Sequence, residues 1–150
     1  MKIIIRKAKS SEFKQVLELI NELAAFEKLN PPDKKAISRL KKDAFGKNPK
    51  FKILVALADK KIIAYAFYFF MYSSFFAKPI LYLEDIYVTK KYRGFGIGKI
   101  LFKELVRISK KNKCISMKWC VLNWNKKAIG FYKKLGAKPI SKWIFYRMSL

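Results

Sequence analysis

Three of the chain's six glycines, Gly94, Gly96 and Gly98, fall at alternate positions in the stretch YRGFGIGKIL, directly after Arg93 and before an amphipathic run. Glycines let a backbone turn tightly and bring its N–H groups close to a ligand, and a helix starting there adds the partial positive charge of its N-terminus. The chemistry expected of such a stretch is the cradling of a pyrophosphate, with Lys90, Lys91 and Arg93 beside it for further phosphates. It is not a P-loop, because no Gly-Lys-Ser/Thr closes it, and the Rossmann spacing fails because Lys99 stands where the third glycine is required. The plain alternative is a strand-to-helix turn, for which one glycine would suffice.

Histidine is absent. That removes Ser-His-Asp hydrolases, Cys-His proteases and every His-ligated zinc or non-haem iron site. Cys114 and Cys120 fall on one expected strand, where six residues at about 3.3 Å each hold them roughly 20 Å apart, too far to chelate or bridge. They are expected to be small buried hydrophobes in a reducing compartment.

The net charge of +24, from 34 basic residues against ten acidic ones, raises a nucleic-acid partner as a possibility. The lysines are scattered through every segment, and knots such as Lys110, Lys111 and Lys113 suit a helix end. Any nucleic-acid binding is therefore expected to be non-specific, and the same surface would attract a phosphate-rich small ligand. At 150 residues and 52% hydrophobic, the chain is expected to fold as a single domain over 1–150. The longest apolar run, Ile62 to Tyr72, is shorter than the roughly 20 residues of a membrane-spanning helix. Charge interrupts the N-terminal MKIIIRKAKS, so a cytoplasmic protein with no membrane association is expected.

The elements needed to position the glycine stretch can be read from periodicity and punctuation. KIIIRKA reads as a strand, and Ser10 or Ser11 is expected to cap a helix through Phe13, Val16, Leu17, Ile20, Leu23 and Ala24. Pro31 and Pro32 end it, Asp33 caps a second helix, and Gly46 closes that one. FKILVAL and IIAYAFYFFMY flank the turn ADKK as a hairpin, and ILYLEDIYV runs into the glycines. Then follow a helix through Ile97, Leu101 and Leu105, a strand CISMKWCV, a helix NKKAIGFYKKLG closed by Gly136, and a final strand SKWIFYRMSL. The sum is an α/β (α+β) domain with a mixed, mainly antiparallel sheet flanked by about four helices.

Arg93, Gly96 and Gly98 match the Arg/Gln-x-x-Gly-x-Gly/Ala motif of the GNAT superfamily of acetyl-CoA-dependent N-acetyltransferases, which the sequence resembles in order of elements as well. LYLEDIYVTKKYRGFGIGKIL, NWNKKAIGFYKKLGA and NELAAFEKLN further resemble segments of the diamine (spermidine/spermine) N-acetyltransferases, and the likeness runs from Ile5 to about Phe145. The resemblance implies acetyl-CoA as co-substrate, no metal, and direct transfer to a primary amine. It implies that Arg93, Gly94, Phe95, Gly96, Ile97, Gly98 and Lys99 cradle the pyrophosphate, and that backbone N–H groups of Ile86, Tyr87 and Val88 bind the pantetheine arm. Asn125 matches a position near the coenzyme. Glu84 matches the family's base, acting through water, and Tyr132 its general acid; an ordinary tyrosine, titrating near ~10, carries the proton an acid needs. Taken without the resemblance, Glu84 reads as a salt-bridge partner and Tyr132 as core packing.

A cationic acceptor would be repelled by this chain unless acids gather where it docks. Glu22 and Glu27 at the end of the first helix, and Glu84 and Asp85 on the third long strand, meet that demand, and the resemblance places Glu27, Glu84 and Asp85 at the acceptor mouth. Phe26, Phe75, Phe76 and Trp143 could add cation–π contacts, although most aromatics between Phe67 and Phe76 read as a buried strand. YSSFFAKP and ISKW lack acids expected of polyamine enzymes, which points to an acceptor shorter or less charged than spermine. A small diamine, a thialysine-like amino acid and a protein lysine remain open. So does a nucleic-acid-binding module on the same scaffold. A homodimer is expected by resemblance alone.

Overall fold

Residues 52 to 88 supply three strands, the first two of which carry runs of consecutive buried residues, so they must lie at the centre of a sheet covered on both faces. The structure, a computed structural model, describes residues 2–150. Its sheet has the order β1 (Ile3–Lys7), β2 (Lys52–Ala58), β3 (Lys61–Ser73), β4 (Lys78–Val88) and β5 (Ser116–Lys118). The first four strands are antiparallel neighbours, and β5 joins β4 in parallel. Asp59 and Lys60 make the β2–β3 turn at φ of 47° and 67°, the left-handed pair that matches the twist of a two-residue hairpin.

Two helical layers cover this sheet. On one face α1 (Phe13–Glu27) buries Val16 and Leu19 against Ile53, Val55, Tyr65 and Tyr87, with Phe45 of α2 (Lys34–Phe45) at the margin. The alternate β2 residues Leu54 and Ala56 are buried as well, and α3 (Ile97–Lys111) meets that side of the sheet through Leu101 and Leu105. Asp33 caps α2 by accepting from the Ala36 N–H at 2.7 Å. Residues up to Trp119 form one compact unit; Cys120–Leu150 form a second, which holds α4 (Lys126–Lys134).

Several expectations are corrected. Ser10 and Ser11 do not cap α1; with Glu12 they form a 3-10 turn, and the Glu12 carboxylate accepts from the Lys9 N–H at 2.8 Å while pairing with Arg6. The strand read over CISMKWCV shrinks to Ser116–Lys118, since its register with β4 runs only from Ile80 to Tyr82. SKWIFYRMSL forms no strand. Its aromatic and branched residues favour a sheet only when packed on a pleated surface, and Trp143 and Tyr146 are 71% and 91% exposed. Neither cysteine is disulfide-bonded, Cys114 is half-buried, and Cys120 is exposed rather than buried.

Leu105 has no exposed surface, whereas Ile100 on the same helix is 45% exposed. Leu105→Ala is expected to lower unfolding free energy by about 2–5 kcal/mol, and Ile100→Ala by about 0.5 kcal/mol or less, read by urea denaturation.

Candidate active site

The β3–β4 ladder contains one extra residue. Phe67 faces Asp85 and Tyr68 faces Leu83, so Glu84 has no partner of its own and forms a bulge. A bulge bends its strand and re-aims the side chains around it. It stands two residues past Tyr82, where pairing with β5 stops. From Leu83 to Val88, β4 therefore keeps β3 on one edge and, among the described residues, has no β5 register on the other.

Carboxylates gather at this bend. Glu84 is exposed, Asp85 is half-buried, and Glu27 arrives as the last residue of α1. Burial, followed by the charge of Glu84, raises the Glu27 carboxyl above its ordinary range. Asp85 is pushed up to about 6 by burial first and by the Glu84 and Glu27 charges; a hydrogen bond from the Tyr65 hydroxyl, which donates to Oδ2 at 3.2 Å, acts in the opposite direction. Among the described residues none of the three carboxylates is in an ion pair. Glu22, expected with them, is engaged elsewhere. Its Oε2 accepts from the Tyr87 hydroxyl at 3.1 Å and the Thr89 hydroxyl at 2.8 Å, tying α1 to the end of β4.

The glycine stretch follows a 3-10 turn at Lys90–Tyr92. Arg93 is exposed and folds back over the end of β4: its Nε donates to the Val88 carbonyl at 2.8 Å, and its guanidinium lies 5.1 Å from the Tyr87 ring centre and 5.6 Å from that of Phe26. Gly94 and Gly96 adopt φ of +86° and +76°, a conformation a side chain would strain. A Cβ at either would meet nothing within 4 Å, so the glycines face open space. Gly96 is the residue before α3, whose first helical bond runs from Ile100 N–H to Gly96 O at 3.1 Å. The N–H groups of Ile97, Gly98 and Lys99 thus have no helical acceptor. Gly98 lies in the first turn of α3, not in the loop, while Phe95 and Lys99 are exposed. This backbone cradle fits a pyrophosphate.

The remaining candidates belong to the second unit. Asn125 Oδ1 accepts from the Ala128 N–H at 3.2 Å, so it caps α4. Tyr132, half-buried on α4, packs its ring 5.3 Å from that of Phe131. Trp143 is exposed in a segment without regular secondary structure. Among the described residues no group of three or more His, Cys, Asp or Glu side chains could hold a metal ion. Sequence reasoning missed Tyr65, whose signal is faint: one hydroxyl-bearing residue inside the apolar run IIAYAF.

The chain matches the Acetyltransferase (GNAT) family over residues 13–137, and it belongs to that family. It is 37% identical over 154 aligned residues, covering 95% of this chain and 90% of the relative, to the thialysine N-epsilon-acetyltransferase of Mus musculus. It is 36% identical to the spermidine/spermine N(1)-acetyltransferase-like protein 1 of Homo sapiens, over 97% of this chain and 22% of that longer protein. A possible acetyltransferase from Clostridium difficile 630 has the same fold, with a TM-score of 0.87 at 22% identity over 100% of this chain and 99% of that one. The chain is thus an N-acetyltransferase that matches the diamine acetyltransferase group.

Gly96→Ala forces a side chain into the left-handed region, which costs roughly 1–2 kcal/mol. Coenzyme A affinity is expected to fall at least about fivefold with a smaller loss of melting temperature, read by titration calorimetry and thermal melting.

Proposed function

We propose that this chain moves an acetyl group from acetyl-CoA to a primary amine of a small cationic acceptor of the thialysine or diamine class, by direct transfer in a ternary complex. The observation that carries the reading is the grouping of Glu27, Glu84 and Asp85, unpaired with any cation, in a chain of net charge +24. A cation from outside would relieve their mutual repulsion and favour their charged forms. The names of its relatives point the same way.

Gly94, Gly96 and the first N–H groups of α3 would hold the pyrophosphate, with Arg93 serving the loop by anchoring it to Val88. Ile86, Tyr87 and Val88, on the stretch of β4 without a β5 register, would offer backbone N–H groups to the pantetheine arm. When bound, acetyl-CoA supplies a thioester carbonyl open to attack by a neutral amine. Asp85 and Glu27 attract the acceptor, Trp143 is proposed as a further acceptor-binding residue on the strength of the family resemblance, and Glu84 takes the ammonium proton through water. Tyr132 returns a proton from its hydroxyl to the departing thiolate, and Asn125 holds the start of the helix that carries it. The family match crosses the boundary between the two compact units, which supports one catalytic domain over 1–150. A homodimer is proposed with it. No helix of the described residues is long and apolar enough to cross a membrane, and we place the protein in the cytoplasm.

The test is thiol release from acetyl-CoA across thialysine, lysine, putrescine, spermidine, spermine and a lysine-containing peptide, against an acceptor-free control. Release with a small amine and not the peptide is the expected result; release with the peptide alone would transfer the assignment to protein acetylation. Tyr132→Phe is expected to lower kcat about 10²-fold or more at unchanged coenzyme affinity, and an unchanged rate would remove its role as acid.

A further inference from the structure

Tyr65 sits in the middle of β3 with no exposed surface, packed in the core between α1 and the sheet. Phenylalanine would fill almost the same volume without bringing a polar atom that needs a partner. Packing therefore explains the ring and leaves the hydroxyl unexplained. That hydroxyl donates to Asp85 Oδ2 at 3.2 Å, twenty residues along the chain. The register accounts for the meeting: Tyr65 faces Tyr87 and Phe67 faces Asp85, so Tyr65 and Asp85 are diagonal neighbours on one face of the hairpin. The bond lands on the first regularly paired residue after the Glu84 bulge, where β4 changes direction.

We propose that Tyr65 is a positioning residue for the amine acceptor: its hydroxyl holds Oδ2 of Asp85 so that the carboxylate presents its other oxygen to the acceptor's ammonium group. The proposal rests on the amine-transferase reading above. The charged groups facing Asp85 are Glu27 from α1 and Glu84 from β4, both acidic, and Tyr65 from β3, with Tyr87 next to Tyr65. Glu27 and Glu84 work against ionised Asp85, and Tyr65 supports it. Burial and the Asp85 charge push the Tyr65 phenol far up, so it remains a donor throughout the working range while Asp85 titrates near 6. Loss of the hydroxyl raises the Asp85 carboxyl further, and more of it is protonated and unable to attract an ammonium at neutral pH.

The experiment compares wild type, Tyr65→Phe, Asp85→Asn and the double variant, with the best amine of the panel varied at saturating acetyl-CoA between about pH 5 and about pH 9. For Tyr65→Phe the KM for the amine at neutral pH is expected to rise about three- to tenfold, with kcat within about twofold and the KM for acetyl-CoA unchanged. The acid limb of kcat/KM for the amine should move to higher pH. In the Asp85→Asn background the limb should move to lower pH, leaving that of the remaining carboxylates, and Tyr65→Phe should not move it further. A Tyr65→Phe profile superimposable on wild type overturns the proposal, as does an equal effect in the Asp85→Asn background or a fall in kcat with the limb unmoved. Should Tyr65→Phe fail to fold, Asp85→Asn decides alone: an acid limb that it leaves in place overturns the proposal. No transfer to any amine by wild type removes the proposed function and this inference with it, whereas active wild type with an unaltered Tyr65→Phe removes the inference only.

Discussion

One surplus residue in β4 organises the functional end of the molecule. With Glu84 left over between Leu83 and Asp85, the strand bends at the point where its parallel neighbour β5 has already ended. The bend separates two regimes of the same strand. Before it, Ile80, Leu81 and Leu83 are buried as an ordinary sheet interior; after it, one backbone edge has no β5 register among the described residues, and side chains of both polarities appear. The Arg93 loop is then held to the far side of the bend through the Val88 carbonyl and the Tyr87 ring. Glu22 fastens α1 to the same strand end, which brings Glu27 to the carboxylates.

The charge pattern works on two length scales. Thirty-four basic residues spread over the chain make a broadly positive exterior suited to a polyphosphate ligand. An ammonium meets repulsion from that exterior, but at physiological ionic strength such fields fade within about 8 Å. Inside that distance the three carboxylates dominate, and partial burial strengthens their pull. A strongly basic chain thus carries a local concentration of acid within a broadly positive exterior.

How much of this could be read beforehand follows the range of the interactions. The helices, the ADKK hairpin and the glycine cradle depend on residues within a few positions of one another, and α2 with its Asp33 cap and Gly46 end falls where periodicity and punctuation put it. Glu27, Glu84 and Asp85 lie close enough to act on one another's charge. The bulge was not legible, because the adjacent acids Glu84 and Asp85 in YLEDIYV reveal an extra residue only when the strand is laid against β3. Nor was the Tyr65–Asp85 bond, which depends on that register, or the stacking of Arg93 near rings from two elements. SKWIFYRMSL shows the limit from the other side: strand-like composition expresses itself only where a surface exists to receive it.

The raised carboxyl of Asp85 also acts on the fold. An aspartate that titrates near 6 when folded and near its ordinary value when unfolded holds more protons in the native state between those pH values. Native stability therefore falls as pH rises through that window, by an amount on the order of 3 kcal/mol for a shift of this size. For this one group mild acid favours the folded protein, while the lowered carboxyl of Glu12, held by Arg6, contributes in the opposite direction. The pH dependence of stability is thus a balance between a buried aspartate that folding makes harder to ionise and a paired glutamate that folding makes easier.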